Sequence, residues 1–281
     1  MDYLKINFEE MRNGAMKTTF ESLERAFKKF NIDYYLIGAF ARDMWLNHLD
    51  YLPERRATLD IDFSIYINDH AQFDELKKYL VNEEGFIKDE EPYRLYASNQ
   101  NIVDLIPFGG IEKDNIVYLN SNPPMELSVF GNVQVLSHAS VIESADAEFK
   151  ICTLPGLCVL KLIAGYEKPE RRAKDFGDFY YILEHYFDIK NDEAFDDFSD
   201  LIDEEFNPLI AGAKMLGRQM FPILNDSSEL RNKILDVLEG LQEKFSAIEI
   251  DQMFKHDPKN DKIKKFKMVA VLQIEIKTFD F

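Results

Sequence analysis

Asp60 and Asp62 are separated by one residue in a segment where apolar and more polar side chains alternate, Leu59–Tyr66. Such alternation predicts a half-buried strand. Because strand residues two positions apart point to the same face, both carboxylates should project from one side, about 6–7 Å apart at Cα. Two negative charges this close need a counter-cation, and oxygen ligands on a rigid strand suit Mg²⁺. The alternative interpretation is a pair of solvated carboxylates on an outer face.

A third aspartate, Asp104, lies in the middle of the apolar segment Ile102–Ile106. An ionised group inside an apolar run should be paired or bound to a metal. If this segment is a strand beside Leu59–Tyr66, Asp104 becomes a third carboxylate next to Asp60 and Asp62. The alternative is a single surface position on a half-exposed strand.

A glycine separates a predicted strand over Asp33–Gly38 from the start of a helix. The free N–H groups and the positive end of such a helix favour an anion, above all phosphate. Arg42 could bind the same phosphate, or it could pair with Asp43 or Glu54 on the surface. An ordinary turn glycine is the alternative interpretation of this position.

The elements that must position these residues form a mixed α/β pattern in the first part of the chain. Hydrophobic periodicity predicts helices over 8–30, 40–49 and 70–82, and strands over 33–38, 59–66, 93–97, 101–107, 129–136 and 147–152. After residue 153 it predicts helices over 155–167, 175–187, 193–204, 208–218, 228–246 and 262–277. This order predicts an α+β protein in which a mixed sheet flanked by helices is followed by a C-terminal helical bundle. We place the boundary near residue 190, where Lys190–Asp192 interrupts the apolar pattern, which gives domains 1–190 and 191–281.

Composition excludes several classes of function. The 281 residues carry 33 Lys and Arg against 51 Asp and Glu, a net charge of −18. Duplex DNA is therefore not an expected partner, because non-specific affinity for it comes from neutralised phosphates. A membrane is not expected either, since no segment approaches the roughly 20 apolar residues of a span. The two cysteines, Cys152 and Cys158, read as buried packing thiols, and together with the lack of a secretory signal pattern they predict a cytoplasmic location.

Taken together, five motifs resemble those of the nucleotidyltransferases of the DNA polymerase β superfamily, and within it the AbiEii/AbiGii toxin group. They are Gly-Ala-x-x-Arg-Asp at 38–43, Thr-Leu-Asp-Ile-Asp at 58–62, the strand residue Asp104, Lys-Leu-Ile-Ala at 161–164, and Arg-Arg-Ala-Lys-Asp-Phe-Gly-Asp at 171–178. Their order and spacing, more than any single motif, carry the resemblance. One position departs from the pattern, because the superfamily usually has Gly-Gly or Gly-Ser where this chain has Gly38-Ala39.

The resemblance covers about residues 30–185 and implies a nucleotidyltransferase-like first domain. It implies a nucleoside triphosphate as substrate and two Mg²⁺ ions as cofactors. The implied catalytic residues are Asp60, Asp62, Asp104, Lys161 and Asp175, the first three of them metal ligands, and the implied nucleotide-binding residues are Gly38, Ala39, Arg42, Lys161 and Asp178. The late motif also has a structural interpretation: Asp175 could cap a helix with Asp178 three residues on, and Lys161 could extend its charged end to solvent from a helix.

The expected reaction is transfer of a nucleotidyl group from the triphosphate to an acceptor hydroxyl. The related toxins suggest the 3′ end of a tRNA as the acceptor and a cognate antitoxin as a partner. Two alternatives stay open. A small-molecule enzyme of the aminoglycoside-modifying kind would suit an acidic cleft, and a non-catalytic interaction module on the same fold would suit the altered glycine motif.

Overall fold

The computed structural model describes residues 2–14, 16–47, 49, 60–121, 123–143, 148–202, 205–243 and 261–279. By their internal packing the residues form two compact units, 1–153 and 154–281. The domain boundary predicted near residue 190 falls inside the second unit. Within the described part of the chain, no helix combines the length and apolar character needed to cross a membrane.

The first unit contains a sheet and five described helices. The helices are α1 (Asp2–Asn13), α2 (Lys17–Phe30), α3 (Gly38–Leu46), α4 (His70–Asn82) and α5 (Asn132–Ser137). The strands are β1 (Tyr34–Ile37), β2 (Asp60–Tyr66), β3 (Ile87–Lys88), β4 (Arg94–Tyr96), β5 (Ile102–Phe108), β6 (Ile116–Leu119), β7 (Met125–Ser128), β8 (Ser140–Glu143) and β9 (Glu148–Ile151).

Seven of these strands form one mixed sheet in the order β3-β4-β5-β2-β1-β9-β8, and β6 and β7 form a separate hairpin. The pairs β2–β5 and β1–β9 are parallel, and the other neighbours are antiparallel. The strand that carries Asp60 and Asp62 therefore lies at the centre of the sheet, beside the strand that carries Asp104.

One face of the sheet is apolar and packs under the first two helices. Phe63 of β2 makes edge-to-face ring contacts with Phe20 and Phe27 of α2. Phe8 of α1 packs on Phe149 of β9 with ring centroids 4.3 Å apart. These rings are buried, and burial of such large apolar surfaces supplies most of the stability of a sheet–helix layer. The face that carries Asp60 and Asp62 is the opposite one.

Three local predictions were wrong. The helix predicted over 193–204 is a short α-helix, Asn191–Asp196, followed by a 3-10 turn, Ser199–Leu201. The single helix predicted over 8–30 is two helices, interrupted after Asn13, and glycine at position 14 is a poor helix former. The segment 129–136, predicted as a strand, contains the helix α5, which begins after Gly131 in a left-handed conformation with φ 82°. Short apolar runs do not distinguish a strand from a buried helix.

The second unit is helical in its described residues. Its α-helices are α6 (Leu154–Glu167), α7 (Pro169–Ile189), α8 (Asn191–Asp196), α9 (Pro208–Asn225), α10 (Ser228–Glu243) and α11 (Asp261–Thr278). Asn207 caps α9, because its side chain accepts a hydrogen bond from the Leu209 amide at 3.0 Å. The predicted α+β class, a mixed sheet with flanking helices followed by a helical bundle, is confirmed.

Candidate active site

Three charged side chains lie side by side across the centre of the sheet. Arg94 of β4 is the register partner of Asp104 of β5, and Asp104 is the register partner of Asp62 of β2. We call these three residues the charged row. Register partners on neighbouring strands point to the same face, at a strand spacing of about 4.8 Å. Asp60, two residues before Asp62, shares that face.

The alternation of β2 explains which face of the sheet the two aspartates occupy. Ile61 and Phe63 are fully buried on the apolar face, so Asp60 and Asp62 must point to the other side. Both aspartates are half-buried. Ser64 continues the same face and is buried, where its hydroxyl accepts a hydrogen bond from Asn132 Nδ2 of α5 at 3.2 Å.

The turn before α3 brings the backbone against Asp62. Ile37, the last residue of β1, is the register partner of Asp62 on the side away from Asp104. Gly38 follows with φ +73°, and a Cβ placed on it would lie 2.0 Å from Asp62 Oδ2. Only glycine fits there without displacing the carboxylate. The Asp62 carboxylate therefore lies at the N-terminus of a nine-residue helix, where a negative charge is favoured.

Asp104 is held by an arginine that the sequence analysis missed. Arg94 Nε donates to Asp104 Oδ1 and Arg94 Nη2 donates to Oδ2, both at 2.7 Å. The Asp104 side chain is 9% exposed and that of Arg94 is 27% exposed. The hydrogen bonds to Asp104 raise the pKa of Arg94 above its ordinary value against the opposing effect of burial, and the charge of Asp60 adds to the rise. The expectation that Asp104 is paired or metal-bound is met by an ion pair.

The other residues predicted to bind the nucleotide lie in α3. Ala39 is half-buried. Arg42 is buried, and its Nε and Nη2 donate to Asp43 Oδ1 at 2.8 and 2.6 Å. The pairing with Asp43 is present in the structure, and the role of Arg42 in nucleotide binding stays a prediction.

The late motif forms a separate cluster inside the second unit. Lys161 Nζ of α6 lies 2.6 Å from Asp175 Oδ1 and 2.9 Å from Asp178 Oδ2 of α7. The two aspartates are three residues apart and share one face of α7. Burial acts to lower the pKa of Lys161, but the two carboxylates outweigh it, and the pKa is raised above its ordinary value.

This cluster corrects both structural interpretations of the late motif. Asp175 does not cap a helix, because α7 begins at Pro169. Lys161 does not extend to solvent, since its side chain is only 13% exposed and Asp175 is 2% exposed. Lys161 is largely removed from water, and a charge in such a position requires pairing, which Asp175 and Asp178 provide.

The donor set of the first unit fits one divalent cation. Asp60 and Asp62 offer carboxylate oxygens on one face beside a helix N-terminus, and Mg²⁺ is usually bound by one or two carboxylates together with substrate phosphates. Among the described residues, no group of three or more His, Cys, Asp or Glu side chains is arranged to hold a metal ion. Each oxygen of the third predicted ligand, Asp104, accepts a hydrogen bond from Arg94.

Comparison with known proteins gives one family and one solved structure. No curated protein matches the chain. The solution structure of the antibiotic-resistance factor ANT(2'')-Ia is similar at 13% sequence identity over 58% of this chain and 80% of that chain, with a TM-score of 0.34. The model of the family described as nucleotidyl transferase AbiEii toxin, type IV toxin–antitoxin system, matches residues 22–268. That match spans the sheet, the charged row and the Lys161 cluster, and the chain belongs to the AbiEii nucleotidyltransferase toxin family.

Proposed function

We propose that this nucleotidyltransferase moves a nucleotidyl group from a nucleoside triphosphate to the 3′-terminal hydroxyl of a tRNA, with Mg²⁺ held by Asp60 and Asp62. The acceptor oxygen forms a bond to the α-phosphorus, the bond to pyrophosphate breaks, and the hydroxyl proton is released. The observation that carries the proposal is the close approach of Gly38 to Asp62, which puts the Asp62 carboxylate, the proposed metal ligand, at a helix N-terminus that favours phosphate.

The two aspartates of β2 and the first turn of α3 have different roles in the proposal. Asp60 and Asp62 would hold the ion, which when bound neutralises charge on the phosphates and polarises the α-phosphate. The first turn of α3, at Gly38 and Ala39, would bind phosphate oxygens through backbone N–H groups. The role of Lys161, Asp175 and Asp178 in phosphate binding or catalysis stays a prediction of the motif resemblance.

The acceptor and the partner are the finer parts of the proposal. The toxin family supports a cognate antitoxin that limits the activity. The net charge of −18 favours a cationic small molecule such as an aminoglycoside over RNA, and this acceptor is the second candidate. Cys152 and Cys158 are both buried thiols, which supports the cytoplasmic location predicted from the sequence.

The test is transfer of label from each of the four α-³²P-labelled triphosphates, with Mg²⁺ and either total tRNA or a set of aminoglycosides. We expect labelled tRNA, and we expect the Asp60→Ala, Asp62→Ala double variant to lose transfer. Asp74→Ala is the matched control, because Asp74 is an exposed carboxylate on α4 that makes only a 3.8 Å ion pair with Lys77. Label on an aminoglycoside alone would select the second candidate. Undiminished transfer by the double variant would refute the site.

A further inference from the structure

Arg94 and Asp104 form an ion pair within the charged row. Its two hydrogen bonds are parallel and equally short at 2.7 Å, which is the bidentate geometry that makes arginine–carboxylate pairs both strong and directional. The two residues are also held in place by the backbone, since β4 and β5 pair antiparallel with Arg94 opposite Asp104. The pair is thus part of the sheet itself.

This pair changes the charge that the site must balance. Within the pair, the positive charge of Arg94 balances the negative charge of Asp104. A second ion on Asp104 would have to displace the guanidinium or lie directly beside its positive charge, and both are costly in a largely buried position. The sequence resemblance implies two ions and three metal-binding carboxylates, so the structure departs from it at Asp104.

We propose, building on the proposed function, that Arg94 takes the place of a second metal ion, with Asp104 as the residue that positions it. The protein then supplies one divalent-ion site, formed by Asp60 and Asp62. A guanidinium has five N–H donors, and the two bonds to Asp104 leave three. Since planar guanidinium groups are well matched to phosphate oxygens, the remaining donors bind the anionic phosphate chain of the substrate.

The test counts bound Mn²⁺ on the full chain without nucleotide, by equilibrium dialysis with electron paramagnetic resonance of the free ion. We expect one ion on the wild type and on Asp104→Asn. We expect two on Arg94→Ala, because Asp104 is then released to act as a ligand, and one again on the Arg94→Ala, Asp104→Asn double variant. Two ions on the wild type, one of them lost in Asp104→Asn, would overturn the proposal, as would one ion on both the wild type and Arg94→Ala.

A nucleotide measurement separates a functional role from a structural one. In the absence of metal, Arg94→Ala should bind a non-hydrolysable triphosphate about tenfold more weakly, the loss expected for one hydrogen bond to a charged group. Unchanged nucleotide affinity in a folded Arg94→Ala would overturn the phosphate-binding role. If Arg94→Ala fails to fold, the same measurements are made on Arg94→Lys, and the wild type is compared with Asp104→Asn.

Two controls complete the design. Arg25→Ala removes another bidentate pair, in which Arg25 Nε and Nη2 bind Glu84 at 3.1 and 2.6 Å on other elements of the first unit, and it should leave the Mn²⁺ count at one. Asp60→Asn, Asp62→Asn should bind none. A wild type that binds no Mn²⁺ would overturn the metal site of the proposed function, and the inference with it, whereas a second ion on Asp104 would overturn the inference alone.

Discussion

Replacing Gly38 with alanine tests whether the position of the Asp62 carboxylate controls the reaction. The new Cβ would lie 2.0 Å from Oδ2, 2.7 Å from Cγ and 2.9 Å from Cβ of Asp62. All three atoms belong to one short side chain, so rotation of the carboxylate alone does not relieve the contact. The carboxylate must move, or the turn before α3 must shift.

The size of the effect follows from these distances. Ordinary contact begins at 3.4 Å, so Oδ2 must retreat by about 1.4 Å. A misplacement of about 1 Å at a reacting centre costs about 100-fold in rate, which corresponds to about 2.7 kcal/mol of barrier. We therefore expect Gly38→Ala to lose at least about 100-fold of nucleotidyl transfer. The left-handed backbone adds about 1–2 kcal/mol of lost stability.

The matched control is Gly85→Ala. Gly85 has nearly the same conformation, φ +75° against +73° for Gly38, but a Cβ on it would meet no atom within 4 Å. Urea unfolding should show the backbone cost in both variants and an extra loss of about 1–3 kcal/mol from overpacking in Gly38→Ala alone. Transfer of label to the acceptor that the wild type uses should be normal in Gly85→Ala. If Gly38→Ala transfers label at the wild-type rate, the carboxylate does not need this position and the reasoning fails.

Three further changes test the packing of the molecule. Lys161→Met should lower the free energy of unfolding by about 3–5 kcal/mol in urea, because it removes the cation between the buried Asp175 and the half-buried Asp178 carboxylates, and adding Asp175→Asn should restore part of that loss. Equal stability of the single variant and the wild type would contradict a stabilising role of Lys161. The pKa of Lys161 is raised in the folded protein. Its contribution to the free energy of unfolding is therefore complete below the unfolded-state pKa of about 10.4 and is lost as the pH rises through the folded-state pKa. Unfolding measured at increasing pH should show this loss in the wild type and not in Lys161→Met. Trp45→Phe removes the 2.9 Å hydrogen bond from Nε1 to the carbonyl of Cys152 and should cost about 1–3 kcal/mol by urea unfolding; no change would show that the carbonyl finds another partner. Burial raises the pKa of the Cys152 thiol, so a thiol reagent should modify it only in denaturant, and fast labelling of the native protein would contradict its burial.

The central part of the sheet was predictable because its sequence signals are local. Alternation in β2 predicted that Asp60 and Asp62 share one face, and an apolar segment with one carboxylate predicted the strand β5. The strand pairing that places Asp104 beside Asp62 entered the sequence analysis only as a condition. Periodicity alone has no information about which strands pair.

Arg94 escaped prediction for the same reason. Its partner is ten residues away across the turn between β4 and β5, and nothing in the sequence near Arg94 distinguishes it from a surface arginine. The signal that could have found it is charge balance: a carboxylate in an apolar strand requires a cation, and Arg94 is the basic residue of the strand preceding Asp104. The helix α5 was predicted as a strand because its short apolar run fits a helix and a strand equally well.

The hairpin that carries Arg94 is the shortest part of the large sheet. β3 has two residues and β4 has three, and together they form one margin of it. Segments with so few backbone bonds open locally at a small free-energy cost. Each opening would move the Arg94 guanidinium away from the Asp104 carboxylate. Substitutions that destabilise the hairpin should therefore increase both the rate of amide exchange in β3 and β4 and the affinity of the protein for divalent ions, and stabilising substitutions should decrease both.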